Sequence, residues 1–464
     1  MATMSSYERL TVLDEMFLHL EGPDTHMHVG GVAIFEGPPP DYEELLDMMR
    51  RRLQQVPRFR QKLAFVPFGL GRPVWVDDTH FNLEYHLRHT ALPAPGDRTK
   101  LNRLAARIMS QQLDRSKPLW EIWIVEGLSE GRFALISKTH HCVVDGVSGA
   151  DIMSVVLDLA PEGSEPEEVE YKQWRPLPEP TPDQLLVDAI RERVTSPGEL
   201  VRSLQSAAND PGGLPNRLME TMKALSEFVG GGFAAPSSSL NQAIGPHRRF
   251  ETVLADLNQI KAIKNHYGGT VNDVVLSVVA GGLRRLLKAR GESVDEIELR
   301  AMVPVSVRSD EGKALGNQVA SVWAALPVYE PDPVERLKVV HDDMKDLKGS
   351  GQAVGAQVLT SIGEWAPSTV VAQASRLVAR QRAFNLVVTN VPGPQLALFA
   401  LGRQMQEVYP VLPLSDNTSL GVALFSYNGT IGFGLLGDYD TAPDLAVLAE
   451  GIEKSIAELH SGVV

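Results

Sequence analysis

Two adjacent histidines, His140 and His141, precede Cys142 and, after two valines, Asp145-Gly146 in the stretch SKTHHCVVDGVSGADIMSVV (Ser137–Val156). These residue types admit a metal site, a general base, a hydrolase triad fragment or a thiol nucleophile. Neighbouring side chains on an extended chain point to opposite faces, so only one of the two imidazoles can face a given ion, and Cys142 points away from His141. No H-E-x-x-H pair completes a metal set, even with His26 and His28 of "HMH". In "GVSGA" (Gly146–Ala150), Ala150 stands where a nucleophile elbow needs its last glycine, and the serine follows the histidines at a helix start. Cys142 reads as a small buried side chain. Two readings of the histidines stay open: a general base, or a satisfied core histidine. A neutral imidazole in a desolvated site can take a proton from a hydroxyl near pH 7. Asp145 reads as a buried strut that needs a cationic mate, and Arg308, at the end of a later strand, is the candidate.

Something must carry that pair to a strand end. "PLWEIWIVEGL" (Pro118–Leu128) and "RFALISKTHH" (Arg132–His141) read as a hairpin around Ser129-Glu130-Gly131. A helix follows from about Ser148 to Leu159. Strand ends beside helix starts are where α/β folds place their chemistry. Upstream, "MHVGGVAIFEG" (Met27–Gly37), "PVWVDD" and "FNLEYHLRHTAL" read as strands, and Asp41–Val56 as a helix capped by Asp41. "LNRLAARIMSQQLD" reads as a second helix. Composition shifts at Pro161, where Pro and Glu concentrate as in a linker, so 161–244 is read as a partly helical crossover. The rhythm then repeats. "RRFETVLADL", "LRAMVPVSVR" and "NQVASVWAALPV" are strands. "TVNDVVLSVVAGGLRRLLKARG" is a helix capped by Thr270 or Asn272 and stopped at Gly291, and further helices span 333–347 and 367–382. "FNLVVTNVPGP" reads as a buried strand, and "SLGVALFSYNGTIGFGLLGD" as a hairpin turning at Asn428-Gly429, with a closing helix from near Pro443. "GFGLLG" (Gly432–Gly437) has dinucleotide-loop spacing, but inside a strand with no helix opening in it, which argues against a nucleotide cofactor.

Composition narrows the function classes. A chain of 464 residues suggests two domains of roughly 200 residues each. With 43% hydrophobic residues it is globular. A net charge of −14 argues against a nucleic-acid binder. No apolar run approaches the ~18 residues of a membrane span, and the first residues lack a signal-peptide core. A single cysteine excludes an internal disulfide framework and fits a cytoplasmic protein.

H-H-x-x-x-D-G after a strand resembles the signature of the CoA-dependent acyltransferase superfamily. Further pieces narrow the resemblance to the bacterial wax ester synthase/diacylglycerol acyltransferase family over essentially the whole chain. They are "LTVLDEMFLHLEGPDTHMHVGGVAIFEG", "PLW" at Pro118–Trp120, "VND" at Val271–Asp273, "VPVSVR" at Val303–Arg308 and "NVPGP" at Asn390–Pro394. One departure is Thr11, where the family often has Ser; the hydroxyl is kept. The resemblance implies an α/β (α+β two-layer) architecture of two chloramphenicol-acetyltransferase-like domains, with an active-site tunnel at their interface. The expected division is 1–160, 161–244 as crossover, and 245–464. It implies direct transfer from acyl-CoA to diacylglycerol or a fatty alcohol, with His141 as general base and no cofactor or metal. His140, Gly146 and Asn272 are expected to support the chemistry, Asn272 by positioning an oxyanion donor or substrate. Pro118, Leu119, Trp120, Asp273, Asn390, Pro392 and Gly393 are expected to line the substrate path. Another hydroxyl acceptor (polyketide or glycolipid) and a catalytically silent lipid carrier are the competing readings. A cytoplasmic enzyme with lipid substrates is expected to meet a membrane or lipid-droplet surface peripherally. Pro215–Phe233 and Gln395–Gly402 are the candidate amphipathic contacts.

Overall fold

The computed structural model describes residues 7–144, 152–162, 174–195, 235–306, 319–349 and 383–463. Asp145, Gly146 and Arg308 lie outside the described residues, as do the helix read over 367–382 and the segment 215–233.

The first half runs α1 (Val12–Leu20), β1 (His28–Phe35), α2 (Tyr42–Arg52), β2 (Gln61–Ala64), β3 (Val74–Asp77), α3 (Leu83–His86), β4 (Leu87–Ala91), α4 (Arg98–Met109), β5 (Trp120–Glu126), β6 (Phe133–His140) and α5 (Ile152–Val156). Side-chain caps set the helix starts: the Thr11 hydroxyl accepts the Asp14 N–H, and the Asp41 carboxylate accepts the Glu43 N–H. "FNLEYHLRHTAL" is not one strand. The Asn82 side chain accepts the Glu84 N–H at 3.1 Å and closes the short helix α3 before β4 begins. Within the stretch read as a crossover stands α6 (Pro182–Thr195).

The second half runs β7 (Arg248–Asp256), α7 (Leu257–Tyr267), α8 (Val271–Ala289), β8 (Leu299–Ser306), β9 (Val319–Leu326), α9 (Pro333–Gly349), β10 (Leu386–Pro392), β11 (Phe399–Ala400), β12 (Arg403–Val411), β13 (Leu420–Tyr427), β14 (Thr430–Asp438) and α10 (Leu445–Ser461). Its core centres on α8, which is buried almost continuously from Asp273 to Leu283, with Leu286 and Leu287 in the next turn. The last helix starts two residues beyond Pro443, on Asp444. The Asn428-Gly429 hairpin turn has positive φ at both residues (43° and 84°), the conformation such turns require.

Two six-stranded sheets result, ordered β11-β12-β1-β6-β5-β4 and β7-β14-β13-β10-β8-β9, with β2-β3 as a separate ribbon. The chain does not divide between them at one point. β11 and β12 leave the second half and join the first sheet, where β12 pairs antiparallel with β1 (Gly30 opposite Val411). β12 also packs backbone-to-backbone on β14. A Cβ on Gly432 or Gly434 would fall 1.9 or 1.8 Å from the carbonyl oxygens of Val408 and Pro410. The glycines of "GFGLLG" therefore let the two sheets touch. "FNLVVTNVPGP" is buried only over its first part and reaches the surface at Val391 and Pro392. The reason is its edge: β8 pairs with β10 at Leu386 and Val387 and no further.

Candidate active site

β6 is buried at all eight positions and ends in the histidine pair. It lies between β1 and β5, and His28 of β1 stands opposite His140. The backbone beyond the strand is held from both sides. The His140 N–H donates to the Leu119 carbonyl (3.0 Å), the His141 N–H to that of Met27 (2.8 Å), and the Val143 N–H to that of His140 (2.9 Å).

The two rings go to different partners. Nδ1 of His140 accepts the Cys142 N–H at 3.1 Å, which leaves the ring proton on Nε2. That Nε2 faces Glu21 Oε2 at 3.6 Å. Glu21 also receives two N–H groups of Arg115, at 2.8 and 2.5 Å, and lies 3.5 Å from Nε2 of His28. The His28 nitrogen also faces the Leu113 N–H at 3.4 Å, and can serve only one of the two. The Glu21 side chain is 4% exposed. Burial alone would raise its pKa, but the contacts from His140, His28 and Arg115 outweigh burial and hold the carboxyl far below the usual range. Burial pushes His28 down to about 4, with Glu21 offsetting part of the shift.

The His141 ring lies flat on Phe17, with centroids 3.8 Å apart and planes 23° apart. Phe17 and Glu21 are four residues apart on the last turn of α1, so one helix face touches both imidazoles. His141 is partly accessible yet closely surrounded by protein. Desolvation pushes its pKa down to about 4, partly offset by its own backbone carbonyl, so the ring is neutral at pH 7. Its Nδ1 is buried and meets no hydrogen-bond partner outside its own residue. Cys142 is buried, and desolvation, with Asp14 and Glu21 nearby, pushes its thiol well above the ordinary range. It is protonated at neutral pH and is not a ready nucleophile. The large core cluster that holds Cys142 and Val143 also takes in Ala400, Met405 and Tyr427 of the second half.

A family model for the wax ester synthase/diacylglycerol acyltransferase catalytic domain matches residues 10–275, and one for the WS/DGAT C-terminal domain matches 315–460. The chain belongs to the wax ester synthase/diacylglycerol acyltransferase family. It is an O-acyltransferase. A probable diacylglycerol O-acyltransferase of Mycobacterium tuberculosis, tgs1, is 34% identical over 97% of this chain and 95% of its own. A second from that organism, tgs2, is 34% identical over 97% of this chain and 98% of its own. The solved wax ester synthase/diacylglycerol acyltransferase from Marinobacter aquaeolei VT8 superposes with a TM-score of 0.70 at 28% identity, covering 98% of this chain and 99% of that one. A trichothecene 15-O-acetyltransferase from Fusarium sporotrichioides shares the fold alone, with a TM-score of 0.58 at 11% identity over 99% of this chain and 97% of its own. The architecture is the mixed α/β, two-domain condensation-like acyltransferase fold.

The other expected site residues of this acyltransferase fall into three groups. Pro118, Leu119 and Trp120 stand behind His140. Leu119 supplies the carbonyl that His140 bonds, and Trp120, fully buried, donates to the Phe59 carbonyl (2.8 Å) and stacks on His86 at 4.7 Å. Asn272 and Asp273 open α8. Asp273 forms a capping box with Thr270 and accepts from His341 Nδ1 at 2.9 Å. Asn272 is half-buried in that first turn and makes no hydrogen bond to the histidine pair. Asn390, Pro392 and Gly393 lie at the emerging end of β10. The Gly393 N–H donates to the Ser426 hydroxyl at 3.2 Å, and a Cβ there would strike the Phe425 ring at 2.3 Å. Sequence reasoning missed Glu21, Phe17 and His28. The one available signal was helical spacing: Phe17 and Glu21 end an amphipathic helix just before "HMH".

The expected amphipathic contact at Gln395–Gly402 is divided: Ala400 is buried, whereas Leu396 is 47% exposed. Phe399 pairs with Gln404 in the sheet, and Leu398 packs on the first-half core. Among the described residues no helix is long and apolar enough to cross a membrane.

Proposed function

We propose that this acyltransferase moves a long-chain acyl group from acyl-CoA directly to the hydroxyl of diacylglycerol, a fatty alcohol, or both, with His141 as general base. One observation supports the reading above the others. His141 is a neutral imidazole with its Nδ1 turned inward, which leaves Nε2 as the nitrogen a substrate can reach. In this reading the hydroxyl proton passes to Nε2 as the oxygen attacks the thioester carbonyl. The C–S bond of the resulting tetrahedral oxyanion then breaks, and the CoA thiolate recovers the proton from the imidazolium. A base of such low pKa is weak, so proton transfer accompanies C–O bond formation rather than preceding it. Asn272 is the proposed donor to the oxyanion, whose stabilisation in a dry site is the larger part of the barrier. The two substrates reach His141 from opposite sides of the junction between the halves. The buried, protonated Cys142 and the relatives' names together favour direct transfer to a lipid hydroxyl. Acceptor and product are apolar, so the reading includes work at a membrane or lipid-droplet surface.

The test is His141→Ala, assayed with palmitoyl-CoA against diacylglycerol, a fatty alcohol and a glycolipid. Loss of about 10²–10⁴-fold in rate by a folded variant is expected. Near-wild-type turnover would remove His141 from the mechanism, and preference for the glycolipid would overturn the acceptor assignment.

A further inference from the structure

The β2–β3 ribbon is the one two-stranded sheet of the described residues, and its closed end is unusual. Seven consecutive residues, "FVPFGLG" (Phe65–Gly71), carry no charge. Three of them turn large apolar side chains to solvent: Phe65 is 50% exposed, Leu70 38%, and Phe68, at the tip, 86%. Phe68 sits in the left-handed region (φ 59°), beside Gly69 (φ 63°). The left-handed backbone is unfavourable for an aromatic residue, so the turn is held in a conformation that the residue itself does not favour. The turn also closes its own hydrogen bonds, from the Gly69 N–H to the Val66 carbonyl (3.2 Å) and from the Leu70 N–H to that of Pro67 (3.3 Å). Those donors are satisfied without water.

Behind the tip, α6 packs Leu185 and Ala189 against Ala64, Val66, Val74 and Val76 in a small core of their own. Its outer side leaves Val187 and Ile190 more than half or half exposed. The module has little field to offer an ionic partner. Arg9 pairs with Glu192, Arg58 with Glu8, and Lys62 with Glu179. An uncharged wedge with self-satisfied amides and mostly compensated flanking charges, Arg72 donating to the Leu10 carbonyl (3.0 Å), fits an apolar phase behind uncharged or zwitterionic headgroups better than it fits a strongly anionic surface or a charged protein.

We propose that the β2–β3 tip, led by Phe68 with Phe65 and Leu70, inserts into a neutral or zwitterionic lipid surface and seats the enzyme there. This rests on the reading of a lipid acceptor, but the experiment needs no turnover, so the two fail separately. The full-length protein is floated with phosphatidylcholine vesicles, with and without diacylglycerol, at low and high salt. Wild type is expected to float, to the same extent at both salt concentrations. Phe68→Ser with Leu70→Ser should weaken partitioning about hundredfold or more, since burying each large apolar side chain is worth about tenfold to hundredfold. The double variant should keep its rate on a dispersed short-chain alcohol, which shows that it is folded. Absence of wild-type flotation, release by salt, or equal flotation of the variant each overturns the proposal. So does a change in oligomeric state on mutation, which would make a second copy the occupant. Burial of the Phe68 ring in vesicle-free protein, read by its inaccessibility to a soluble quencher or solvent paramagnet, would also overturn it.

Discussion

In each half of the molecule a buried carboxylate stands beside a histidine, at Glu21 and at Asp273, and the two are used differently. Glu21, at the end of α1, gathers Arg115, His28 and His140 around it and acts on the strand end that carries His141. Asp273, at the start of α8, spends one oxygen on the Thr270 N–H (2.8 Å) and His341, leaving Oδ1 buried without a hydrogen bond. The first is an electrostatic hub inside a sheet interior that also holds Lys138 and Glu121. The second is a helix cap in a core that is otherwise mainly aliphatic. In the proposed mechanism the ionisable groups around the base thus belong to the first half, and the second half contributes packing and Asn272.

Acid should separate the halves most strongly. The histidines pushed down to about 4 are His28, His86 and His141, all in the first half. Unfolded, each binds a proton below about 6.5; folded, it binds one only near 4. Between those values the unfolded chain holds more protons, so stability rises with pH and is lost as pH falls from 6.5 to 4. The fully buried His28 and His86 each contribute about 3 kcal/mol to that loss. Native-state hydrogen exchange at pH 4.5 should show β1, β5 and β6 losing protection before α8 and α10. Equal loss in both halves would break the contrast.

Glu21→Ala should come next, costing about 3 kcal/mol. Removing one member of a buried pair usually costs more, but the Arg115 side chain is 38% exposed and regains water. Turnover should fall as well, because the Cys142 N–H bond to His140 loses the charge that orients the ring. Full activity in a destabilised variant would make Glu21 purely structural.

Phe17→Leu should act on the reaction with less effect on the fold. Without the ring on its face, His141 gains water, and its pKa rises from about 4 toward 6.5. The base must be unprotonated, so the acid limb of kcat/KM should move up by about one pH unit. His140, Glu21, Asp14 and Arg115 are the charged or titratable groups around this turn, and the substitution leaves them in place. An unmoved limb with a lower rate would mean that Phe17 only fills space.

What was legible in the sequence was local. Strand alternation, the Asp41 and Thr270 caps, the Asn428-Gly429 turn and the histidine spacing all depend on residues within a few positions of one another, and each has its counterpart in the structure. The joining of β12 to β1 was not legible, since it unites residues some 380 positions apart by register alone. Nor was Glu21 as a hub: a glutamate at a helix end reads as a solvated charge, and only the arrival of Arg115, His28 and His140 from three other elements buries it. "GFGLLG" shows the converse. Its spacing matches a ligand loop, its strand context argues against one, and its cause is a backbone contact between sheets.

The smallest effect is expected at the other carboxylate. Asp273→Asn keeps the volume and one acceptor oxygen but removes the charge that faces His341 and the positive end of α8. Losing a good cap costs about 1 kcal/mol, and an amide keeps part of it, so the melting temperature should fall by only a few degrees. The informative readout is the ratio of effects. If Asp273 is only a cap, kcat and KM should stay within about twofold while stability falls. If instead it holds Asn272 of the same helical turn against the oxyanion, kcat should drop with KM unchanged, as expected when an interaction made only in the transition state is lost. The first outcome leaves Asn272 to act without Asp273. The second ties the two together, to be confirmed by the same kcat loss in Asn272→Ala and no further loss in the double variant.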